Sequence, residues 1–149
     1  MQIVIGGFSQ GKLGYVLNNM CSEGEKVCVL DENDVTDSSV SAFEEAFRSL
    51  PGEYEAGDAC TIVVNHLHLI LKNLGNRERT LKLMEILREY CYGMSQNLII
   101  ISDELGCGII PAEQEERTYR EDAGRIMCTL AAEADSVTRI VAGIPVRIK

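Results

Sequence analysis

Positive charge is scarce in this chain. It carries 14 lysines and arginines against 23 aspartates and glutamates, which gives a net charge of -9 over 149 residues. A nucleic-acid-binding module needs a basic stripe that meets the phosphate backbone. The charge balance therefore argues against that class of protein, and we expect no nucleic-acid partner.

Long hydrophobic runs are also missing. The longest lie around residues 62–64 and 98–101 and are far too short to span a bilayer. The N-terminus shows no basic region and no small-residue cleavage site, so we expect no signal peptide and a cytoplasmic protein. With 46% hydrophobic and 25% charged residues, the composition is typical of a folded chain, and we expect one domain over residues 1–149.

The six cysteines include no CxxC pair, and their spacings do not indicate a metal site. Four of them fall inside apolar periodic segments: Cys28, Cys60, Cys91 and Cys128. We interpret these four as small buried side chains rather than as reactive thiols. Without a secretion signal, we expect them to stay reduced.

The apolar pattern predicts alternating strands and helices. Strands are predicted at residues 2–5, 26–30, 60–64, 98–101, 139–142 and 146–149, and helices at 12–21, 37–50, 66–74, 78–92 and 113–134. The first helix is predicted to pack through Leu13, Val16, Leu17 and Met20. Because the strands are continuous apolar runs, we expect an α/β fold with a mostly parallel sheet and helices on both faces. The last two strands would form a short closing pair.

The first strand is followed by a glycine-rich segment, GGFSQGK at residues 6–12. It matches seven of the eight positions of the phosphate-binding loop, G-x-x-x-x-G-K-[ST]. Such a loop turns backbone N–H groups toward phosphate oxygens at a helix N-terminus, and its lysine neutralises the phosphates. A glycine-rich turn without a ligand is the alternative. The predicted nucleotide-binding residues are Gly6, Gly7, Phe8, Ser9, Gln10, Gly11, Lys12 and Leu13.

Two positions that normally support Mg²⁺ are altered. Leu13 stands where a serine or threonine would ligate the ion, and a leucine cannot coordinate a hard cation. Asn65 stands at the end of the third strand, where an acidic residue is expected. We therefore predict that phosphate binding survives while metal-assisted transfer is impaired.

Other polar residues follow the predicted strands at the carboxyl edge of the sheet, where α/β proteins bind ligands. Asp31, Asp103 and Glu104 are candidates for metal binding or for general-base chemistry, and solvated loop acids are the alternative. His66 and His68 have no third metal ligand near them in sequence. We interpret both histidines as polar or packing side chains.

Three further segments resemble one enzyme family. They are residues 103–111 (DELGCGIIP), 117–125 (RTYREDAGR) and 131–137 (AAEADSV), and the C-terminal VAGIPVRIK at 141–149 adds a fourth. They are similar to motifs of the bifunctional adenosylcobinamide kinase/adenosylcobinamide-phosphate guanylyltransferase family of cobalamin biosynthesis. The phosphate loop fits the family's G-G-x-x-S-G-K-S except at Gln10 and Leu13. The resemblance covers about two-thirds of the chain.

The resemblance implies a P-loop nucleotide-binding fold of the RecA-like kind and a homo-oligomer, with a trimer favoured. It also implies a kinase that phosphorylates the aminopropanol hydroxyl of adenosylcobinamide, a corrinoid, with ATP or GTP and Mg²⁺. In this reading Lys12 and Glu104 are catalytic, and Asp31 and Asp103 are candidate metal ligands. The family's second activity transfers GMP through a histidine after the second strand.

The chain departs from the family at several positions. No histidine lies between Asp31 and Asp58, so we predict that the guanylyltransferase activity is lost and that no residue serves as the guanylylated histidine. Asp103 replaces the family's asparagine. The alternative to a kinase is a non-catalytic nucleotide- or corrinoid-binding homologue that acts as a sensor or partner subunit.

Overall fold

The computed structural model describes residues 1–34, 41, 45, 60–93, 97–106 and 108–149. The strands are β1 (Gln2–Gly6), β2 (Lys26–Leu30), β3 (Cys60–Val64), β4 (Asn97–Asp103), β5 (Ser136–Val141) and β6 (Ile144–Arg147). The helices are α1 (Lys12–Asn19), α2 (Leu67–Leu74), α3 (Arg77–Gly93) and α4 (Gln114–Glu133), with a 3₁₀ turn at Glu32–Asp34. The predicted helix at 37–50 lies outside the described residues, apart from the isolated positions 41 and 45.

The described strands form one sheet in the order β2-β3-β4-β1-β5-β6. The first five are parallel, and β6 runs antiparallel to β5. This confirms the predicted α/β fold of the P-loop kind, with its closing strand pair at the C-terminus. All five parallel strands end at the same edge of the sheet, so the loops after them meet there.

Alternate residues of the strands face two separate cores. One core, through residues such as Ile62 and Ile100, packs against α2, α3 and α4. The other, through Val63 and Ile99, packs against α1 at Val16. The near-continuous apolar strands are thus buried on both faces, as expected for parallel strands. Among the described residues, no helix is both long and apolar enough to cross a membrane.

Two packing predictions are wrong. Leu17 on α1 is exposed, whereas Val16 is buried and Leu13 and Met20 are partly buried against the same core. Cys128 is also exposed, although Cys28, Cys60 and Cys91 are buried as predicted. The buried face of α4 contains Ala123, Ile126 and Leu130. Cys128 comes two residues after Ile126 and therefore lies on the opposite face of the helix.

Candidate phosphate-binding site

The glycine-rich segment forms a tight loop between β1 and α1. Ser9 and Gly11 have left-handed backbones, with φ of 55° and 79°, and α1 begins immediately after Gly11. Gly6 cannot be replaced without moving the backbone, since a Cβ there would lie 2.5 Å from the carbonyl oxygen of Ile140. The sequence therefore builds the loop–helix junction that the phosphate-loop prediction requires.

Lys12 is buried beneath this loop, with 6% of its surface exposed. Its Nζ donates to the carbonyl oxygen of Gly7 at 2.8 Å and lies 2.5 Å from Oδ1 of Asp103. Asp103 is itself only 10% exposed. The lysine that would neutralise a phosphate is thus already paired with a carboxylate. An incoming anion must compete with that carboxylate for the same ammonium group.

Sheet topology places Asp103 against the loop. In the parallel pairing of β1 with β4, Gly6 is in register with Asp103. The next amide, that of Glu104, donates to the carbonyl oxygen of Gly6 at 3.0 Å. Of the predicted site residues, Lys12, Asp103 and Glu104 therefore lie together at the carboxyl edge of the sheet, whereas Asp31 follows β2 and lies apart from them.

His68 supports Asp103 from α2. The backbone N–H of Asp103 donates to Nδ1 of His68 at 3.2 Å, which places the proton of the neutral ring on Nε2. Burial lowers the pKa of His68 below its usual value, and the Asp103 carboxylate opposes that shift. The hydroxyl of Tyr119 donates to the carbonyl oxygen of His68 at 2.6 Å, and burial raises the pKa of Tyr119 to about 12. His68 is thus a packing and hydrogen-bonding residue, in agreement with its interpretation from sequence.

A cleft of about 660 Å³ opens beside the phosphate loop. Three cationic side chains line it, and each is paired with an acid: Arg139 with Glu104 at 2.9 Å, and Lys72 and Arg120 with Glu116 at 3.1 and 3.4 Å. These cations were not singled out from the sequence, because their approach to the loop depends on how α2, α4 and β5 pack. Phe8, almost fully exposed, adds an apolar side chain to the rim.

Among the residues that the structure describes, those beside the phosphate loop do not fit a Mg²⁺ ion. Leu13 offers no oxygen and packs instead against the core on the α1 side of the sheet. The side-chain amide of Asn65 donates through Nδ2 to Oδ2 of Asp31 at 2.8 Å. Asp103 is held by Lys12. The predicted metal ligands Asp31 and Asp103 have different partners, because β3 stands between the strands that they follow.

Comparison with known proteins agrees with the resemblance seen in the sequence. A family model described as cobinamide kinase / cobinamide phosphate guanyltransferase matches residues 38–148, well over half of the chain. The chain belongs to this family. The matched region begins after the phosphate loop, so the family assignment does not depend on that loop.

Curated relatives carry the same family name. Bifunctional adenosylcobalamin biosynthesis protein CobU from Salmonella typhimurium is 38% identical over 66 residues, or 44% of this chain and 36% of its own length. CobP of Pseudomonas aeruginosa, a bifunctional adenosylcobalamin biosynthesis protein, is 32% identical over 111 residues, or 68% of this chain and 59% of its own length. The chain therefore aligns with between about a third and three-fifths of these relatives.

Proposed function

We propose that the chain binds the triphosphate of ATP or GTP through Gly6–Lys12 and acts in cobalamin biosynthesis as an adenosylcobinamide kinase. The observation that carries this proposal is the loop itself, folded between β1 and α1 with Lys12 beneath it and the cleft beside it. Family membership supports the choice of a corrinoid acceptor. Phe8 and the exposed Ile109 and Ile110 give the neighbouring loops an apolar surface suited to a large macrocycle.

In this proposal the two catalytic residues have separate tasks. Lys12 would leave Asp103 and stabilise the negative charge that develops on the transferred phosphoryl group. Glu104 would accept the proton of the attacking hydroxyl, since its carboxylate lines the cleft and is oriented by Arg139. In this proposal the chain supplies anion binding and a base, while Leu13 supplies no oxygen from its side chain to a Mg²⁺ ion at the loop.

A second function, a non-catalytic nucleotide- or corrinoid-binding homologue, is favoured by one specific observation. The Lys12–Asp103 ion pair gives the loop's cation a partner within the protein itself. An anion that displaces Asp103 from Lys12 would change the contacts of the loop, and binding of this kind does not need a metal. Phosphoryl transfer is therefore the property that separates the two functions.

The kinase proposal predicts that the chain phosphorylates adenosylcobinamide and that Glu104→Gln abolishes the reaction. Removal of the carboxylate removes the base, while the amide keeps the size of the side chain. The measurement is transfer of labelled γ-phosphate from ATP and from GTP to adenosylcobinamide. Glu115→Gln, an exposed glutamate on α4, is the matched control and should keep full activity. Nucleotide binding by calorimetry without any transfer would favour the non-catalytic homologue instead.

Guanylyl transfer should be absent. The chain has two histidines, His66 and His68, and neither lies in the segment between Asp31 and Asp58. His68 is buried and holds Asp103. After incubation with labelled GTP, we expect no acid-labile GMP on the protein. A GMP adduct at either histidine, detected by mass spectrometry, would contradict this prediction.

Self-association as a trimer remains a prediction from the family resemblance. The surface that would support it is the β5–β6 hairpin, where Ile144 and Val146 are exposed on the edge strand of the sheet. An exposed apolar edge strand is commonly covered by another chain. Sedimentation of the purified protein at tens of micromolar would measure the oligomeric state.

A further inference from the structure

Asp31, Glu32 and His66 form a cluster away from the phosphate loop. Nδ1 of His66 lies 2.9 Å from Oδ1 of Asp31 and 2.8 Å from Oε2 of Glu32. All three side chains are partly exposed, and one potential ligand atom from each lies within 4.8 Å of the others. The cluster combines an imidazole nitrogen with two carboxylates from a different segment of the chain.

Pairing of β2 with β3 builds the cluster. Leu30 is in register with Val64, so the residues that follow the two strands lie side by side. The backbone N–H of Asn65 donates to the carbonyl oxygen of Leu30 at 2.8 Å, which extends the pairing past the strand ends. The ligands thus come from the segments that follow two paired strands, and Glu32 begins the 3₁₀ turn after β2.

Two carboxylate oxygens converge on one nitrogen of His66. A single N–H at Nδ1 has one proton, yet two carboxylate oxygens lie within hydrogen-bonding distance of that nitrogen. The separations of 2.9 and 2.8 Å between Nδ1 of His66 and the oxygens of Asp31 and Glu32 are compatible with neighbouring ligands of one ion, which lie roughly 3 Å apart when the ligand distances are about 2.1 Å. An ion would have to enter from the open side of the cluster and displace the proton from Nδ1.

Asn65 positions one of these ligands. It is only 3% exposed, and its side-chain N–H group donates to Oδ2 of Asp31 at 2.8 Å. This contact directs the other oxygen of Asp31 toward His66. Hydrogen bonds of this kind, made to the ligands rather than to the ion, are a regular feature of metal sites in proteins.

We propose that Asp31, Glu32 and His66 bind one divalent transition-metal ion. One imidazole and two carboxylates form a mixed N/O set, which suits Mn²⁺, Fe²⁺, Co²⁺ or Zn²⁺ better than Mg²⁺, whose preferred ligands are all oxygens. The partial exposure of all three side chains leaves the remaining coordination positions open to water or to an oxygen of a ligand. The site is two to three strands away from β1, roughly 10–15 Å across the sheet, so it does not depend on the phosphate loop.

The experiment is a titration of the metal-free chain with Co²⁺ in the absence of nucleotide. Binding is measured by calorimetry and by visible absorption. We expect one ion per chain, with a spectrum that has no thiolate-to-cobalt charge-transfer band. His66→Asn should lower the affinity at least about tenfold, and asparagine suits the left-handed backbone at this position, where φ is 51°. Glu32→Gln should weaken binding independently, which guards against a local folding defect in the histidine variant.

Glu115→Gln is the matched control for loss of one negative charge in an acidic protein. This variant should bind Co²⁺ as the wild type does. In the wild type, a large excess of Mg²⁺ should not displace the bound Co²⁺. Equal affinity in the wild type and His66→Asn would overturn the proposal. A thiolate band would also overturn it, because it would assign the ion to a cysteine.

Discussion

Replacing Asp103 with asparagine should tighten nucleotide binding. In the wild type, phosphate must displace a carboxylate that lies 2.5 Å from Nζ of Lys12, and the same carboxylate repels the incoming anion. A charge-assisted hydrogen bond of this kind is worth about 1.5–3 kcal/mol, so we expect a gain of roughly ten- to a hundredfold. Calorimetric titration with ATP and GTP measures it directly.

The same substitution should lower the stability of the ligand-free protein. Lys12 is 6% exposed. In Asp103→Asn its ammonium group still donates to the carbonyl oxygen of Gly7, but it no longer has a carboxylate as counter-ion. Buried charges that lose a partner are costly. The melting temperature of Asp103→Asn should therefore fall without nucleotide and rise more steeply than that of the wild type when nucleotide is added.

Two controls separate this mechanism from a general loss of negative charge. Asp122→Asn makes the same chemical change on α4, away from the cleft, and should leave the affinity unchanged. The double variant Lys12→Ala, Asp103→Asn should not show the tighter nucleotide binding of Asp103→Asn, because it has no ammonium group to bind the phosphate. An unchanged affinity in Asp103→Asn would show that the ion pair does not compete with phosphate.

Local sequence was sufficient for most of the fold. The strands at 26–30 and 60–64 have the bounds that their pattern predicts, since each is a mostly apolar run that ends at a polar residue, Asp31 or Asn65. The start of β5 was missed, because Ser136 and Thr138 interrupt its apolar pattern even though Thr138 is buried. The sheet pairs the backbone N–H and C=O groups of a strand whatever its side chains are, and periodicity alone cannot reveal that.

The candidate site was predictable in its parts but not in its pairings. The sequence placed Lys12, Asp103 and Glu104 at one edge of the sheet, which the structure reproduces. The Lys12–Asp103 pair depends on β4 lying next to β1, and the Asp31–His66 contact depends on β2 lying next to β3. Strand order is a long-range property, so the local sequence does not indicate that Asp31 and Glu32 face His66.

Introducing a hydroxyl at position 13 and a carboxylate at position 65 should make nucleotide binding depend on Mg²⁺. The wild type has Leu13 at the hydroxyl position and an amide at Asn65, so we expect its nucleotide affinity to be nearly the same with and without Mg²⁺. Leu13→Ser supplies the missing hydroxyl, and Asn65→Asp supplies the missing acid. The measurement is nucleotide affinity by calorimetry in the presence and absence of Mg²⁺.

The structure adds a requirement to this design. Nδ2 of Asn65 lies 2.8 Å from Oδ2 of Asp31, so Asn65→Asp alone would place two carboxylates against each other. Like charges at that separation raise the pKa of one carboxyl group and keep it protonated. Adding Asp31→Asn exchanges the amide and the carboxylate, which preserves both the hydrogen bond and the net charge.

The triple variant Leu13→Ser, Asn65→Asp, Asp31→Asn should therefore bind nucleotide roughly tenfold or more tightly with Mg²⁺ than without it, a difference of about 1.4 kcal/mol. Leu13→Ala in the same background is the matched control, because it loses the packing of Leu13 against the core without gaining an oxygen. If the alanine variant acquires the same Mg²⁺ dependence, the hydroxyl is not the missing ligand. If nucleotide binding by the wild type already depends strongly on Mg²⁺, the ion binds through residues other than Leu13 and Asn65.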